Sequence, residues 1–204
     1  CRFSYYPDYE VLTVARQFRN RGTPADVIYL DIHYMDGFRM FTWDEARFPE
    51  PEQLIAQLRD MGFHVAVILD PGIKIEAGYA PYEDGKARDV FVTYPDGKPY
   101  SGEVWPGWCH FPDFTHPDTR HWWAGWLKDL ADAGIEGFWN DMNEPSAWGH
   151  SIPSLIEFDF EGRKATHKQA HNVYGMQMAR ATWTGAVKWL KNRRPFVLTR
   201  AGYT

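Results

Sequence analysis

Short apolar runs alternate along the chain with longer segments in which apolar residues recur at helical spacing. The runs are too short for helices and are predicted to be buried strands, at residues 27–31, 64–70, 137–141 and 196–200. Residues 1–7 are predicted to be the end of a further strand and its exit loop. Helical spacing marks residues 8–20, 51–61, 122–134 and 173–190. The alternation predicts an α/β fold of parallel strands joined by right-handed crossovers.

Two arrangements of parallel strands fit this order, a doubly wound sheet and a (β/α)8 TIM barrel. No glycine-rich phosphate loop follows any strand, which disfavours the nucleotide-binding version of a doubly wound sheet. Long insertions, residues 71–116 and 146–166, follow the third and fourth predicted strands, and barrel enzymes build their active sites from loops at that end. A complete barrel takes about 250 residues. The sequence therefore predicts a partial TIM barrel, roughly the first five strands.

The domain boundaries follow from the same pattern. Residues 1–204 are predicted to be one partial catalytic barrel domain, truncated at both ends, because the chain begins at Cys1 without a Met and stops at Thr204 just after an apolar strand. Within the insertion at 71–116, residues 90–94 and 98–105 flank Pro95-Asp96-Gly97. That pattern predicts a β-hairpin.

Composition excludes several classes of partner and points to one. The formal net charge is −5 and no run of Lys and Arg offsets it, which argues against nucleic acid. No apolar stretch is long enough to span a bilayer and the first residues do not form a signal peptide, which favours a cytoplasmic location over a membrane. Cys1 and Cys109 are expected to be reduced thiols. The ten tryptophans suit a site that stacks against sugars.

Four of the predicted strands end on charged residues: Asp31, Asp70, Asp141 and Arg200. In a parallel barrel all strand ends point to one rim, so these side chains are expected to converge. An Asp after a strand can simply cap the next helix, but the next predicted helices start many residues later. A buried Asp–Arg network with a purely structural role remains an alternative.

Metal binding is a further alternative for the same rim. Asp31 and His33 lie two residues apart, and Asp36, His64 and His110 are available as ligands. However, the paired His spacing of a zinc site is absent from the sequence. The sequence thus favours a site without a metal.

Carboxylates and tryptophans on one rim, without a metal or cofactor motif, indicate glycoside hydrolysis. That reaction needs one carboxylate against the anomeric carbon and one carboxylic acid at the leaving oxygen. Negative charge stabilises the oxocarbenium-like transition state, and aromatic faces can hold the sugar ring.

The chain resembles the α-glucosidases of glycoside hydrolase family 31 over essentially its whole length. Trp139-Asn140-Asp141-Met142-Asn143-Glu144-Pro145 is similar to the nucleophile signature of that family. The other sequence motifs of the family are matched, in the same order, by residues 29–37, 68–73, 104–107 with 111–114, and 194–202. The resemblance implies a retaining hydrolase of α-glycosides that uses no cofactor, with an α-glucoside oligosaccharide as its partner.

The resemblance also implies roles for individual residues. Asp141 is similar to the nucleophile, Asp31 to a carboxylate that binds hydroxyls of the −1 sugar, and Arg200 to an arginine of the same subsite. Four further positions match residues that line this pocket: Asp70, Trp105, Trp139 and Met142. Phe3 stands where many relatives have Trp, which makes the aromatic platform smaller. Glu144, three residues past the nucleophile, is expected to anchor its loop.

The general acid/base of the family follows the strand that ends at Arg200 and would lie beyond Thr204. Residues 1–204 alone are therefore expected to be inactive. By the same resemblance, the sequence Met142-Asn143-Glu144 favours glucose over xylose as the sugar. The alternatives are a non-catalytic sugar-binding relative, an α-xylosidase or α-galactosidase type of the same family, and a metal-dependent barrel hydrolase.

Overall fold

The computed structural model describes residues 2–149, 151–191 and 193–203. Five α-helices lie in this part of the chain: α1 Asp8–Asn20, α2 Pro51–Asp60, α3 Ala80–Ala87, α4 Pro117–Asp132 and α5 His167–Trp189. The strands are β1 Val27–Leu30, β2 His64–Leu69, β3 Ile73–Lys74, β4 Ser101–Val104, β5 Gly107–His110, β6 Gly137–Asn140, β7 Glu157–Phe158, β8 Ala165–Thr166 and β9 Phe196–Thr199. Two short 3-10 helices, Ile32–Tyr34 and Asp36–Phe38, follow β1.

The central sheet has the strand order β1-β2-β6-β9, and every pair in it is parallel. The strands of this sheet therefore lie side by side in their order along the chain. In a doubly wound sheet, the order of the strands would instead reverse at a switch point. The sequential order confirms the predicted partial TIM barrel. The sheet is not closed, because β1 and β9 each pair on one side only among the described residues.

The central strands are apolar because both of their faces are covered. Leu69, Phe138 and Val67 are completely buried, and they join one core with the apolar sides of the helices. Helices α4 and α5 pack closely, since Gly185 of α5 leaves room for Leu127 of α4, whose Cδ1 would lie 2.5 Å from an added Cβ. None of the helices described is both long enough and apolar enough to cross a membrane.

The predicted first strand, whose end and exit loop were expected at residues 1–7, is wrong for the residues that the structure describes. Residues 2–7 form a turn and irregular backbone, and Cys1 lies outside the described range. Phe3 and Tyr5 have φ values of 53° and 64°. These left-handed conformations are incompatible with a strand ladder. Four strands, rather than five, make up the parallel sheet in the described part of the chain.

The insertion at residues 71–116 differs from its predicted form. Its regular hairpin joins β4 to β5 across Trp105-Pro106, and β3 pairs with the other edge of β5. The predicted turn exists, since the Tyr94 N–H donates to the Lys98 carbonyl at 2.8 Å. Residues 90–94 nevertheless form only isolated bridges, to Pro99, Pro112 and Glu157. Pro99 and Pro112 lack an N–H, so neither can extend a ladder.

Helix α3, within the same insertion, was not predicted. Its sequence carries Pro81 and an interior Gly85, and both residues weaken a helical pattern. Gly85 is nevertheless required by packing, because an added Cβ would lie 2.8 Å from the Phe91 ring. The second insertion, at 146–166, contains the short antiparallel pair of β7 and β8.

Candidate active site

Asp70, Asp141 and Arg200 form one row across three neighbouring strands. The parallel ladder continues one residue past the last strand positions, because the Asp141 N–H donates to the Leu69 carbonyl at 3.0 Å and the Arg200 N–H donates to the Asn140 carbonyl at 2.9 Å. Each residue of the row directly follows its strand. The predicted convergence of strand-end charges is thus found for these three residues.

Arg200 lies between two carboxylates. Its Nε is 3.1 Å from Oδ1 of Asp141, and this contact is an ion pair rather than a hydrogen bond, since Asp141 Oδ1 has no hydrogen-bond partner among the described residues. Towards Glu144 the contact is bidentate: Nε donates to Oε1 at 2.8 Å and Nη2 donates to Oε2 at 2.6 Å. This two-point geometry fixes the plane of the guanidinium.

Glu144 has the electrostatic properties of a structural anchor. The Arg200 hydrogen bond, followed by a hydrogen bond from Ser146, lowers the pKa of Glu144 to about 2, although burial opposes the shift. The Ser146 hydroxyl donates to Oε2 at 2.6 Å. Asn143 attaches the same loop to the end of β9, where its Nδ2 donates to Thr199 Oγ1 at 2.9 Å. Glu144 therefore anchors its loop, as predicted, and also orients Arg200.

Asp141 directly follows β6, and its side chain is 16% exposed. Burial raises its pKa, and the Arg200 guanidinium is the strongest influence in the opposite direction. Met142 follows with φ 52°, so the backbone turns sharply away from the sheet. Arg200 Nη2 also lies 3.4 Å from the Met142 sulfur.

Asp70 is buried and unpaired. Its side chain is 3% exposed, and neither carboxyl oxygen has a hydrogen-bond partner among the described residues. Burial raises the pKa of Asp70 to about 8, and the negative charges of Asp141 and Asp31 add to the rise. Its backbone N–H donates to the Met40 sulfur at 3.1 Å, a partner that the sequence did not indicate.

Asp31 belongs to the same group of charges but is held differently. Its Oδ1 accepts from the Ile32 N–H at 2.8 Å, which makes it the N-cap of the first 3-10 helix. Its Oδ2 accepts from the Phe3 N–H at 2.7 Å. The expectation that Asp31 caps no helix is therefore wrong, because a short 3-10 turn begins at the very next residue.

The predicted aromatic residues do not form one platform in the described part of the chain. Trp105, 38% exposed at the turn between β4 and β5, meets Trp148 edge-to-face at 5.0 Å and Phe38 at 6.4 Å. Phe3 is 61% exposed and packs at 4.4 Å against His33. Trp139 is half-buried on β6. Sequence reasoning missed Trp148 and Phe38, although Trp148 follows Asp141 by only seven residues.

The candidate metal ligands are not brought together. His64 begins β2, at the opposite end of the sheet from Asp31, and there it lines a cavity of about 450 Å³. It pairs with Glu136, while His110 Nδ1 lies 2.8 Å from the Tyr100 carbonyl. The part of the chain that the structure describes contains no group of three or more His, Cys, Asp or Glu residues arranged to hold a metal ion.

Comparison with known proteins identifies the relatives of the chain. The family description "Glycosyl hydrolases family 31 TIM-barrel domain" matches residues 1–204. Alpha-glucosidase 2 of Bacillus thermoamyloliquefaciens is 47% identical over 205 residues, which is 100% of this chain and 26% of that protein. Neutral alpha-glucosidase AB of Homo sapiens is 38% identical over 98% of this chain and 22% of its own length. The chain thus spans about a quarter of the length of these curated relatives.

A solved structure agrees with the sequence relatives. The family 31 alpha-glucosidase from Bacteroides thetaiotaomicron superposes with a TM-score of 0.80 and 40% sequence identity, over 98% of this chain and 32% of that one. At this identity the likeness extends beyond the fold to the family. The fold of the chain, with its sequential parallel sheet, is therefore shared with a known group of proteins.

The Glu144–Arg200 contact generates a testable prediction. Glu144→Gln should lower the free energy of unfolding by roughly 1–2 kcal/mol at pH 7, since a charge-assisted pair that is partly exposed is lost. Because the pKa of Glu144 is depressed to about 2, this loss should shrink as the pH falls from about 4.5 toward 2. Denaturant unfolding of the complete protein at several pH values measures it.

Glu45→Gln, at an exposed turn, is the matched control and should change the unfolding midpoint little at any pH. A loss for Glu144→Gln that is equally large at pH 2 and pH 7 would contradict the ion-pair interpretation.

Proposed function

The chain belongs to glycosyl hydrolase family 31, and on that premise we propose that it carries the nucleophile half of a retaining α-glucosidase active site. The complete enzyme hydrolyses α-glucosidic bonds of oligosaccharides. Asp141 attacks the anomeric carbon, and a covalent glucosyl-aspartate forms as the leaving oxygen departs. The general acid/base is supplied from sequence beyond Thr204.

The observation that carries this proposal is the ion pair between Asp141 and Arg200. A carboxylate must be ionised to act as a nucleophile, and burial of Asp141 favours the neutral acid. Arg200, 3.1 Å away, counteracts burial and favours the anion. Glu144 holds the guanidinium on its other side, so this support does not depend on a mobile side chain.

The strand-end carboxylates also suit the charge that develops on the sugar. An oxocarbenium-like transition state carries positive charge at the anomeric carbon and ring oxygen. Fixed negative groups in a dry site stabilise that charge more than they stabilise a neutral substrate. Asp141 is the group placed to do so, since it is paired with Arg200 and only partly exposed.

The remaining predicted residues supply the −1 sugar pocket in this proposal. Backbone N–H groups already orient the Asp31 carboxylate. Arg200 contributes its guanidinium to the same subsite. Side chains that line the pocket are Asp70, Trp105, Trp139, Met142 and Phe3. The substrate is an α-glucoside, in keeping with relatives that are named alpha-glucosidases.

The first functional prediction concerns Asp141. In the complete enzyme, Asp141→Asn and Asp141→Ala should lower kcat on maltose by several orders of magnitude, because an amide cannot form the glucosyl ester. With an activated aryl α-glucoside, which leaves without protonation, azide should restore turnover of Asp141→Ala. Attack from the vacated face would give the β-glucosyl azide, and NMR of the product identifies its configuration.

Asp96→Asn, at the exposed turn of the first insertion, is the matched control and should retain wild-type kcat. Substantial maltose turnover by Asp141→Asn would reject the nucleophile assignment. An α-configured azide product would do the same.

The second functional prediction concerns Asp31. Asp31→Asn should lower kcat/KM by roughly tenfold to a hundredfold, the effect of losing a charged hydrogen bond of about 1.5–3 kcal/mol. Steady-state kinetics of the complete enzyme measures this change. Because Asp31 also caps a 3-10 helix, thermal unfolding of the same variant must show that the fold survives. A folded variant with unchanged kcat/KM would rule out a role in sugar binding.

A further inference from the structure

Asp70 lines the proposed sugar pocket, but the proposed reaction does not define its charge state. It lies beside Asp141 in the row, because the Asp141 N–H donates to the carbonyl of Leu69, the residue before Asp70. Both of its oxygens are buried without a hydrogen-bond partner among the described residues. A buried, unpaired carboxylate is costly, so its protonation state needs a physical account.

We propose that Asp70 holds a proton at neutral pH and is a positioning residue that leaves Asp141 as the anion of the pair. This inference rests on the proposed function, since it assigns charge states within a site where Asp141 is the nucleophile. Two neighbouring carboxyl groups in a dry site do not both ionise readily. One of them takes the proton, and the environment of each decides which.

Two differences between the carboxyl groups assign the proton to Asp70. Asp70 is 3% exposed, whereas 16% of the Asp141 side chain reaches solvent. Arg200 makes its ion pair with Asp141, while neither oxygen of Asp70 has a hydrogen-bond partner in the described part of the chain. The pKa of Asp70 is accordingly raised to about 8, first by burial and then by the charge of Asp141.

The groups that face Asp70 from neighbouring elements support the same assignment. Asp141 and Glu144 follow β6, and Asp31 follows β1; all three raise its pKa. Arg200, after β9, is the one opposing influence that is resolved, and it is engaged by Glu144 and Asp141. The remaining two groups, Tyr34 and Cys109, both have raised pKa values because of burial and are neutral at pH 7.

The proton on Asp70 has a direct consequence for the nucleophile. A neutral neighbour places no like charge beside Asp141, so Asp141 ionises at a lower pH than it would beside an anion. As the pH rises through about 8, Asp70 loses its proton and the row gains a second negative charge. The pair titrates as a unit, with the lower apparent pKa belonging mainly to Asp141.

The test compares wild type with Asp70→Asn in the complete enzyme. An activated α-glucosyl fluoride needs no general acid, so the acid limb of its kcat/KM profile reports ionisation of the nucleophile. Because Asn resembles a protonated Asp, we expect the acid limb to stay within about 0.3 pH units of wild type. The result is the pH at which kcat/KM falls on the acid side, not the maximum value of kcat/KM. If Asp70 were an anion, its removal would move the limb down by about one pH unit or more, and that result would overturn the proposal.

A second readout does not depend on turnover. Asp70 has a pKa of about 8 in the folded protein against 3.8 for an ordinary Asp, so its stabilising effect is fully present below pH 3.8 and lost as the pH rises through 8. The urea midpoint of Asp70→Asn relative to wild type should therefore rise between pH 4 and pH 8 and then level off. A difference that is flat from pH 5 to pH 9 would overturn the proposal.

The two readouts separate this inference from the proposed function. A change in stability without any glucosidase activity would reject the function and keep the protonated Asp70. Activity that depends on Asp141, with a shifted acid limb in Asp70→Asn, would keep the function and reject the protonated Asp70. Asp70→Ser supplies the same comparisons if the Asn variant does not fold.

Discussion

The register of the parallel ladder between β2, β6 and β9 is the constraint on which the site depends. Backbone hydrogen bonds from Asp141 and Arg200 carry that register one residue past the strands. A slip of one residue would send each of these side chains to the opposite face of the sheet. The apolar interior of the strands prevents such a slip, since Val67, Leu69 and Phe138 would leave the core. Core packing thus sets the geometry of the charges at the strand ends.

The same register gives the three residues of the row different electrostatic surroundings. Asp70 is buried, with no hydrogen-bond partner in residues 2–149, 151–191 and 193–203. Asp141 is partly exposed and paired, and Arg200 is held from both sides. Three side chains in similar backbone positions therefore have different charge environments. The loop after β6 completes the arrangement, because Glu144 and Asn143 tie it to the end of β9. In this way, a rigid sheet end and one anchored loop together define the geometry of the candidate site.

Much of this organisation could be predicted from local patterns. The alternation of apolar runs and helical spacing predicted the parallel sheet, and the residues that end the runs included the row. The conformation of residues 2–7 could not be read from local propensity, because left-handed φ values at Phe3 and Tyr5 depend on tertiary context. The hairpin was displaced because Pro99 interrupts the ladder that the turn signal suggested. The Glu144–Arg200 pair spans 56 residues, a separation over which spacing carries no information.

The central claim is that Asp141 forms the covalent bond to the sugar. The most direct measurement is to trap the complete enzyme with a slowly turned over 5-fluoro-α-glucosyl fluoride and to solve its structure. We predict continuous density from Asp141 Oδ to the anomeric carbon, with Arg200 still paired to Glu144. A bond to another residue, or an unmodified Asp141 in a fully inactivated enzyme, would contradict the claim.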